Sequence, residues 1–121
     1  MLSGSILIVD DEASLLDFLS VLCTGEGLSV TTARSVREAR EQLAERTPDL
    51  VLCDMLMPDG NGLDLLREIR AVESGPAVIM MTAYTSTRSA IEAMKAGAYD
   101  YVPKPFDVDE LKVVIHRALE K

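Results

Sequence analysis

Four stretches of this chain place a chemically able residue directly after an apolar run. Asp10-Asp11-Glu12 follow "ILIV" (Ile6–Val9), and Asp54 follows "LVLC" (Leu50–Cys53). Thr82 closes "AVIMMT" (Ala77–Thr82), and Lys104-Pro105 come just after "YDYV" (Tyr99–Val102). If these stretches meet, carboxylates, a hydroxyl and an ammonium share one place. Two like charges ~4 Å apart repel by roughly 4 kcal/mol at an effective dielectric near 20. Such a cluster is tolerated when a cation sits in it or a carboxyl is protonated. A hard divalent ion suits it, and Mg²⁺ takes one or two carboxylates, waters and a phosphate oxygen. A carboxylate facing a metal and an ammonium is placed to attack phosphorus. On that reading Asp54 is the nucleophile and Asp10 or Asp11 holds the metal. Lys104 and Thr82 then stabilise charge on the phosphoryl oxygens. Each acid alone would also serve as an ordinary helix N-cap, so the joint arrangement carries the reading.

The elements that must position these residues alternate along the chain. Leu15, Leu19 and Leu22 recur at helical spacing before Gly25 and Gly27. "LSVTTA" (Leu28–Ala33) is rich in β-formers, and Ser35 with Glu38 has the capping-box pattern ahead of Val36, Ala39 and Leu43. That helix is expected to stop before Thr47-Pro48. Leu65, Leu66, Ile69 and Val72 make a third helical face. Ser86 or Thr87 is read as the cap of a fourth helix carrying Ile91 and Met94, with Gly97 as its stop. Asp107 and Glu110 open a fifth, with Leu111, Val114, Ile115, Ala118 and Leu119. The pattern is (βα)5. Strands apolar on both faces and joined by helices imply a parallel sheet covered on both sides, hence a doubly wound α/β fold. In such a sheet every strand points its C-terminal end at one edge, where ligands bind. The able residues all fall there.

Bulk properties agree. A length of 121 residues suits one domain, 1–121. The 12 basic and 20 acidic residues give a net charge of −8, which argues against a duplex-binding surface. Cys23 and Cys53 lie in apolar runs and read as reduced core thiols of a cytoplasmic protein. The N-terminal apolar run of Ile6–Val9 is too short for a signal peptide or a membrane span.

From "ILIVDDE" through "DMLMPDGNGLDLL" and "MMTAY" to "GAYDYVPKPF", the chain resembles the receiver (phosphoacceptor) domain of bacterial two-component response regulators. The wording of "PDGNGLDLL" and "GAYDYVPKPFDVDEL" is similar to receivers of NtrC-type regulators, which work with sigma-54 transcription. The resemblance implies a flavodoxin-like (CheY-like) fold with strand order 2-1-3-4-5. It implies that Asp54 accepts a phosphoryl group from a phosphohistidine on a sensor histidine kinase. It further implies that Asp10 and Asp11, with Asp54 and the backbone carbonyl of Leu56, bind Mg²⁺. Thr82 would be the switch hydroxyl, Lys104 the phosphoryl-binding lysine, Tyr101 the aromatic switch, and Lys104-Pro105 a cis peptide. The face of helix 4, strand 5 and helix 5 would respond, serving a homodimer or an output domain outside this chain. Such a domain catalyses only its own phosphorylation and dephosphorylation. It contacts neither nucleic acid nor membrane directly.

Three rival functions fit these residues less well. A haloacid-dehalogenase-type phosphatase needs a second acid two residues after the nucleophile, where Leu56 stands. A flavodoxin-like FMN carrier needs a hydroxyl- and glycine-rich loop where Asp10-Asp11-Glu12 would repel phosphate. A phosphorylation-independent interaction module usually lacks an acid or the lysine, and here all are present. Tyr84 and Leu56 flank the site and are expected to tune phosphoryl lifetime. Met55 and Met57 are expected to pack beneath the loop, Met80, Met81 and Met94 to be core, and His116 to be exposed on the last helix. Gly60 and Gly62 are read as permitting the turn after Pro58.

Overall fold

The computed structural model describes residues 2–83 and 87–120, the side chain of Thr87 excepted. The sheet strands are β1 (Ser5–Val9), β2 (Ser29–Ala33), β3 (Leu50–Asp54), β4 (Ala77–Thr82) and β5 (Asp100–Pro103). The helices are α1 (Ala13–Gly25), α2 (Val36–Glu45), α3 (Gly62–Arg70), α4 (Thr87–Lys95) and α5 (Val108–Leu119). All sheet pairs are parallel, in the order β2-β1-β3-β4-β5. This is the doubly wound sheet expected from the alternation of runs. Between β3 and α3 lies a short antiparallel hairpin, Leu56–Met57 against Gly60–Asn61.

Side chains alternate across each strand, and the two faces build two cores. Leu7, Val9, Val51, Cys53, Val78 and Met80 pack with residues of α2, α3 and α4, including Val36, Leu65, Leu66 and Ala93. Ile6, Ile8, Leu50, Leu52, Ile79 and Met81 pack with α1 and α5 through Leu16, Leu19, Leu111 and Ile115. Both cysteines are buried and unpaired. Burial pushes the Cys23 thiol up to about 11 and raises Cys53 further. Both are therefore core thiols, not nucleophiles.

Helix ends follow local chemistry. Gly27 and Gly97 have φ of 100° and 104°. Behind them Leu28 N–H reaches the Cys23 carbonyl and Ala98 N–H the Ala93 carbonyl, both at or near 3.0 Å. These are Schellman closures of α1 and α4, which only glycine enters without strain. Ser35 Oγ accepts from Glu38 N–H at 3.0 Å, and Glu38 Oε1 reaches back to Arg34 N–H. Asp107 Oδ1 accepts from the N–H groups of Asp109 and Glu110.

Several expectations need correction. Val72 lies past the end of α3 and is largely exposed, because the chain turns away at Ala71 to Gly75. Ile91 and Met94 are about half exposed, and α4 instead buries Ala93. A small residue lets the helix approach the sheet closely, and the larger apolar stripe is left outside. β5 starts at Asp100, leaving Tyr99 exposed. β2 is an edge strand in which only Ala33 is buried, so it is not apolar on both faces. His116 is not simply exposed: its Nε2 sits 2.8 Å from Glu26 Oε1 and ties α5 to the end of α1. The readings of Tyr84 and of Ser86 or Thr87 as a cap lie outside the described residues.

Gly60 and Gly62 do not have positive φ. What Gly62 supplies is space: a Cβ there would stand 2.1 Å from the Asp54 carbonyl oxygen. Gly62→Ala is expected to destabilise the domain by roughly 1–3 kcal/mol or more, since backbone must shift to accept it. Gly25→Ala, whose Cβ meets nothing within 4 Å, is the comparison and is expected to be neutral or slightly stabilising. Urea denaturation of both variants checks this.

The Glu26 carboxyl is held below its usual range, first by the His116 hydrogen bond, against some desolvation, and then by the Lys112 charge. A depressed carboxyl adds stability above its unfolded value near 4.5 and loses it as pH falls through the folded value. Melts of wild type and Glu26→Gln from about pH 7 down to about pH 3 should therefore converge on the acid side. A gap that stays constant with pH would count against the pair.

Candidate functional site

β1 and β3 are neighbours in the sheet, so their C-terminal ends emerge side by side. Asp10 and Asp54 continue the alternation of Ile8 and Leu52 and both are buried, at 0% and 7% exposure. Asp11 is exposed beside them. One carboxylate oxygen from each of Asp10, Asp11 and Asp54 lies within 4.8 Å of the others. Lys104 reaches in from beyond β5, with Nζ 2.5 Å from Asp10 Oδ2 and 3.0 Å from Asp54 Oδ2. Its backbone is pinned by an N–H bond of 2.8 Å to the Thr82 carbonyl, and the Lys104–Pro105 peptide is cis.

The remaining oxygens of the two buried aspartates take backbone donors. Asp10 Oδ1 accepts from Glu12 N–H at 2.9 Å, and Asp54 Oδ1 accepts from Leu56 N–H at 3.3 Å. Each buried carboxylate thus has one oxygen on an amide and the other on the lysine. Burial raises the Asp54 carboxyl above its ordinary range, partly offset by the hydrogen bond and charge of Lys104, while Asp10 raises it further. Burial also works against the Lys104 charge, but its bonds to Asp10 and Asp54 outweigh that and hold the ammonium up. One ammonium bridges two carboxyl groups and a third, that of Asp11, lies beside them, so acidic groups outnumber the basic one. Its donors are all carboxylate oxygens, the set that hard divalent cations prefer over soft metals. The residues present therefore fit a bound metal ion.

Thr82 is buried at the end of β4. Tyr101 is half-buried on β5, registered with Met80 and packed on the α2–α3–α4 core. Since side chains alternate, it lies on the sheet face of Thr82, one step back from the edge. Leu56 joins the site through its N–H while its side chain is 60% exposed. Met55 and Met57 are buried beneath the hairpin among Val36 and Leu63.

Two residues of the loop escaped the sequence reading. Asn61 Oδ1 caps α3 by accepting from Leu63 N–H at 2.8 Å. An Asn just ahead of an apolar helical run was the available signal. Asp59 accepts from Val36 N–H at 2.8 Å and from Arg37 N–H at 3.0 Å, on a helix 22 or more residues away in sequence. No local pattern announces a cap supplied from so far along the chain.

Comparison with known proteins agrees with this geometry. The family model described as the response regulator receiver domain matches residues 6–116. Transcriptional regulatory protein ZraR of Escherichia coli O157:H7 is 46% identical over 114 residues, covering 94% of this chain and 26% of ZraR. The DNA-binding transcriptional regulator NtrC of Klebsiella pneumoniae is 42% identical over 119 residues, covering 98% of this chain and 25% of NtrC. The chain thus spans about a quarter of the length of these curated relatives. Among solved structures, the beryllofluoride-activated NtrC4 receiver domain dimer superposes with a TM-score of 0.89 at 34% identity, covering 95% of each chain. Sequence match, fold and the carboxylate–lysine cluster lead to one conclusion: this chain belongs to the response regulator receiver domain family.

Proposed function

We propose that this domain accepts a phosphoryl group on Asp54 from a phosphohistidine of a sensor histidine kinase. The observation that carries the reading is the Lys104 bridge between buried Asp10 and buried Asp54, with Asp11 alongside. An Asp54 carboxylate oxygen attacks phosphorus, the phosphorus–nitrogen bond breaks with its electron pair going to nitrogen, and the imidazole leaves neutral because its other ring nitrogen already carries a proton. Lys104 then exchanges its contact with Asp54 Oδ2 for one with a phosphoryl oxygen. Asp10, Asp11, Asp54 and the Leu56 carbonyl are the residues that would hold Mg²⁺. When bound, Mg²⁺ supplies Lewis-acid neutralisation of charge on the phosphoryl oxygens.

Thr82 donates a hydrogen bond to the new phosphoryl group, and Tyr101 turns inward on the same sheet face. The consequence reaches the surface of α4, β5 and α5, which exposes Ile91, Met94, Tyr99 and Val113. Phosphorylation biases an equilibrium between two arrangements of that surface. That the NtrC4 receiver domain is a dimer supports a homodimer here, for which this surface is the proposed contact. The output is transcription, through a domain outside residues 1–121 of the kind that makes up the rest of NtrC-type regulators. The domain itself turns over no external substrate, contacts no nucleic acid, and works in the cytoplasm. Among the described residues no helix is long and apolar enough to cross a membrane. The phosphorylation-independent reading finds no favouring observation, because both buried acids and the lysine are in place.

Incubation with acetyl phosphate and Mg²⁺ is expected to give a shifted band on a phosphate-affinity gel. The band should be absent with EDTA and absent in Asp54→Asn. An Asp54→Asn band equal to that of wild type would overturn the assignment.

A further inference from the structure

The hairpin that follows Asp54 is tethered at both ends. At its near end Met55 N–H bonds the Met81 carbonyl at 3.1 Å, and Gly62 N–H bonds the Met55 carbonyl at 2.7 Å. At its far turn Asp59 reaches across to α2 and takes two of that helix's first N–H groups, those of Val36 and Arg37. Ser35 takes the third, that of Glu38. The first-turn donors of α2 are thus shared between its own cap and the loop that leaves the candidate site. Those two amide bonds hold the Asp59 carboxyl below its usual range. Gly60 lies against Val36 as well, with only ordinary contact distance to spare for a Cβ at 3.4 Å.

We infer that Asp59 is a positioning residue: by clasping the N-terminus of α2 it fixes the hairpin that presents the Leu56 backbone beside Asp54. This rests on the reading of the Asp10–Asp11–Asp54 cluster as a cation and phosphoryl site. Leu56 pairs with Asn61 and Met57 with Gly60 across the hairpin, so Asp59 stands in the turn joining the two short strands. A tilt of that turn moves both strands, and with them the Leu56 N–H that bonds Asp54 Oδ1. Asp59 touches neither the cluster nor Lys104, so it acts only through the loop.

The test is Mg²⁺ titration of wild type and variants, followed by the backbone amide signals of Asp54 and Leu56, with thermal melts alongside. Asp59→Ala is expected to weaken Mg²⁺ binding about 10-fold, the scale on which supporting residues act at metal sites. Asp59→Asn keeps an acceptor for only one of the two N–H groups, since each bonds a different carboxylate oxygen, and should recover only a small part of that loss. Val36→Pro removes one of the two donors at a first helical position that proline suits, after the already extended Ser35, and also exchanges a buried side chain that packs on Gly60, so it is read beside Asp59→Asn, which loses one bond without touching that packing. It should weaken Mg²⁺ binding about fivefold, the value of one net hydrogen bond. This variant keeps the test open should Asp59→Ala not fold. Lower melting temperatures with unchanged Mg²⁺ affinity in Asp59→Ala and Val36→Pro would reduce Asp59 to a stabilising cap and overturn the inference. Absence of Mg²⁺ binding in wild type would overturn it too. If wild type binds Mg²⁺ and the variants weaken it, yet acetyl phosphate labels none of them, the positioning role stands and the phosphoacceptor reading alone fails.

Discussion

Everything at the sheet edge depends on one imbalance of charge. Asp10 and Asp54 are buried side by side, and their repulsion is relieved by a single ammonium, Lys104. Two like charges at ~4 Å in a medium of dielectric near 20 repel by roughly 4 kcal/mol. A lysine between them turns that cost into attraction, yet Asp11 leaves the site still short of positive charge. An arrangement of this kind is ready for an added cation and for a ligand whose charge appears only when a bond is made. Burial raises the Asp54 carboxyl above its ordinary range, Lys104 pulls it back, and the neighbouring Asp10 adds to the rise.

The fold serves this imbalance by bringing distant chain segments to one edge. Parallel pairing of β1 with β3 and of β3 with β4 puts Asp10, Asp54 and Thr82 on three adjacent strand ends. β5 beside β4 delivers Lys104, whose backbone is hydrogen-bonded to Thr82. Two apolar faces, one under α1 and α5 and the other under α2, α3 and α4, make the sheet a rigid platform. Gly62 then brings α3 against the carbonyl of Asp54 itself, so the backbone at this site is packed as closely as the core below it.

The sheet and the cluster were legible in the sequence because they rest on short continuous signals. Runs such as Ile6–Val9 and Ala77–Thr82 are buried on both faces, and an acid or hydroxyl at their ends reads directly as an edge residue. Where packing was shared with small residues, the reading slipped. Ile91 and Met94 form a conspicuous helical stripe, but α4 meets the sheet through Ala93, whose size gives no pattern. Gly60 and Gly62 read as residues that permit the turn after Pro58, whereas Gly62 is required for clearance from a carbonyl set by tertiary packing. Asp59 and the Glu26–His116 pair bridge elements far apart in sequence, and no local periodicity encodes such pairs.

The central claim is that Asp54, among several carboxylates within reach of one another, is the one that carries the phosphoryl group. Borohydride reduces an acyl phosphate to an alcohol, which converts a phosphorylated aspartate to homoserine. Protein treated with acetyl phosphate and Mg²⁺, reduced and mapped by peptide mass spectrometry should carry homoserine at position 54 alone. Homoserine at position 10 or 11, or at none, would contradict the account.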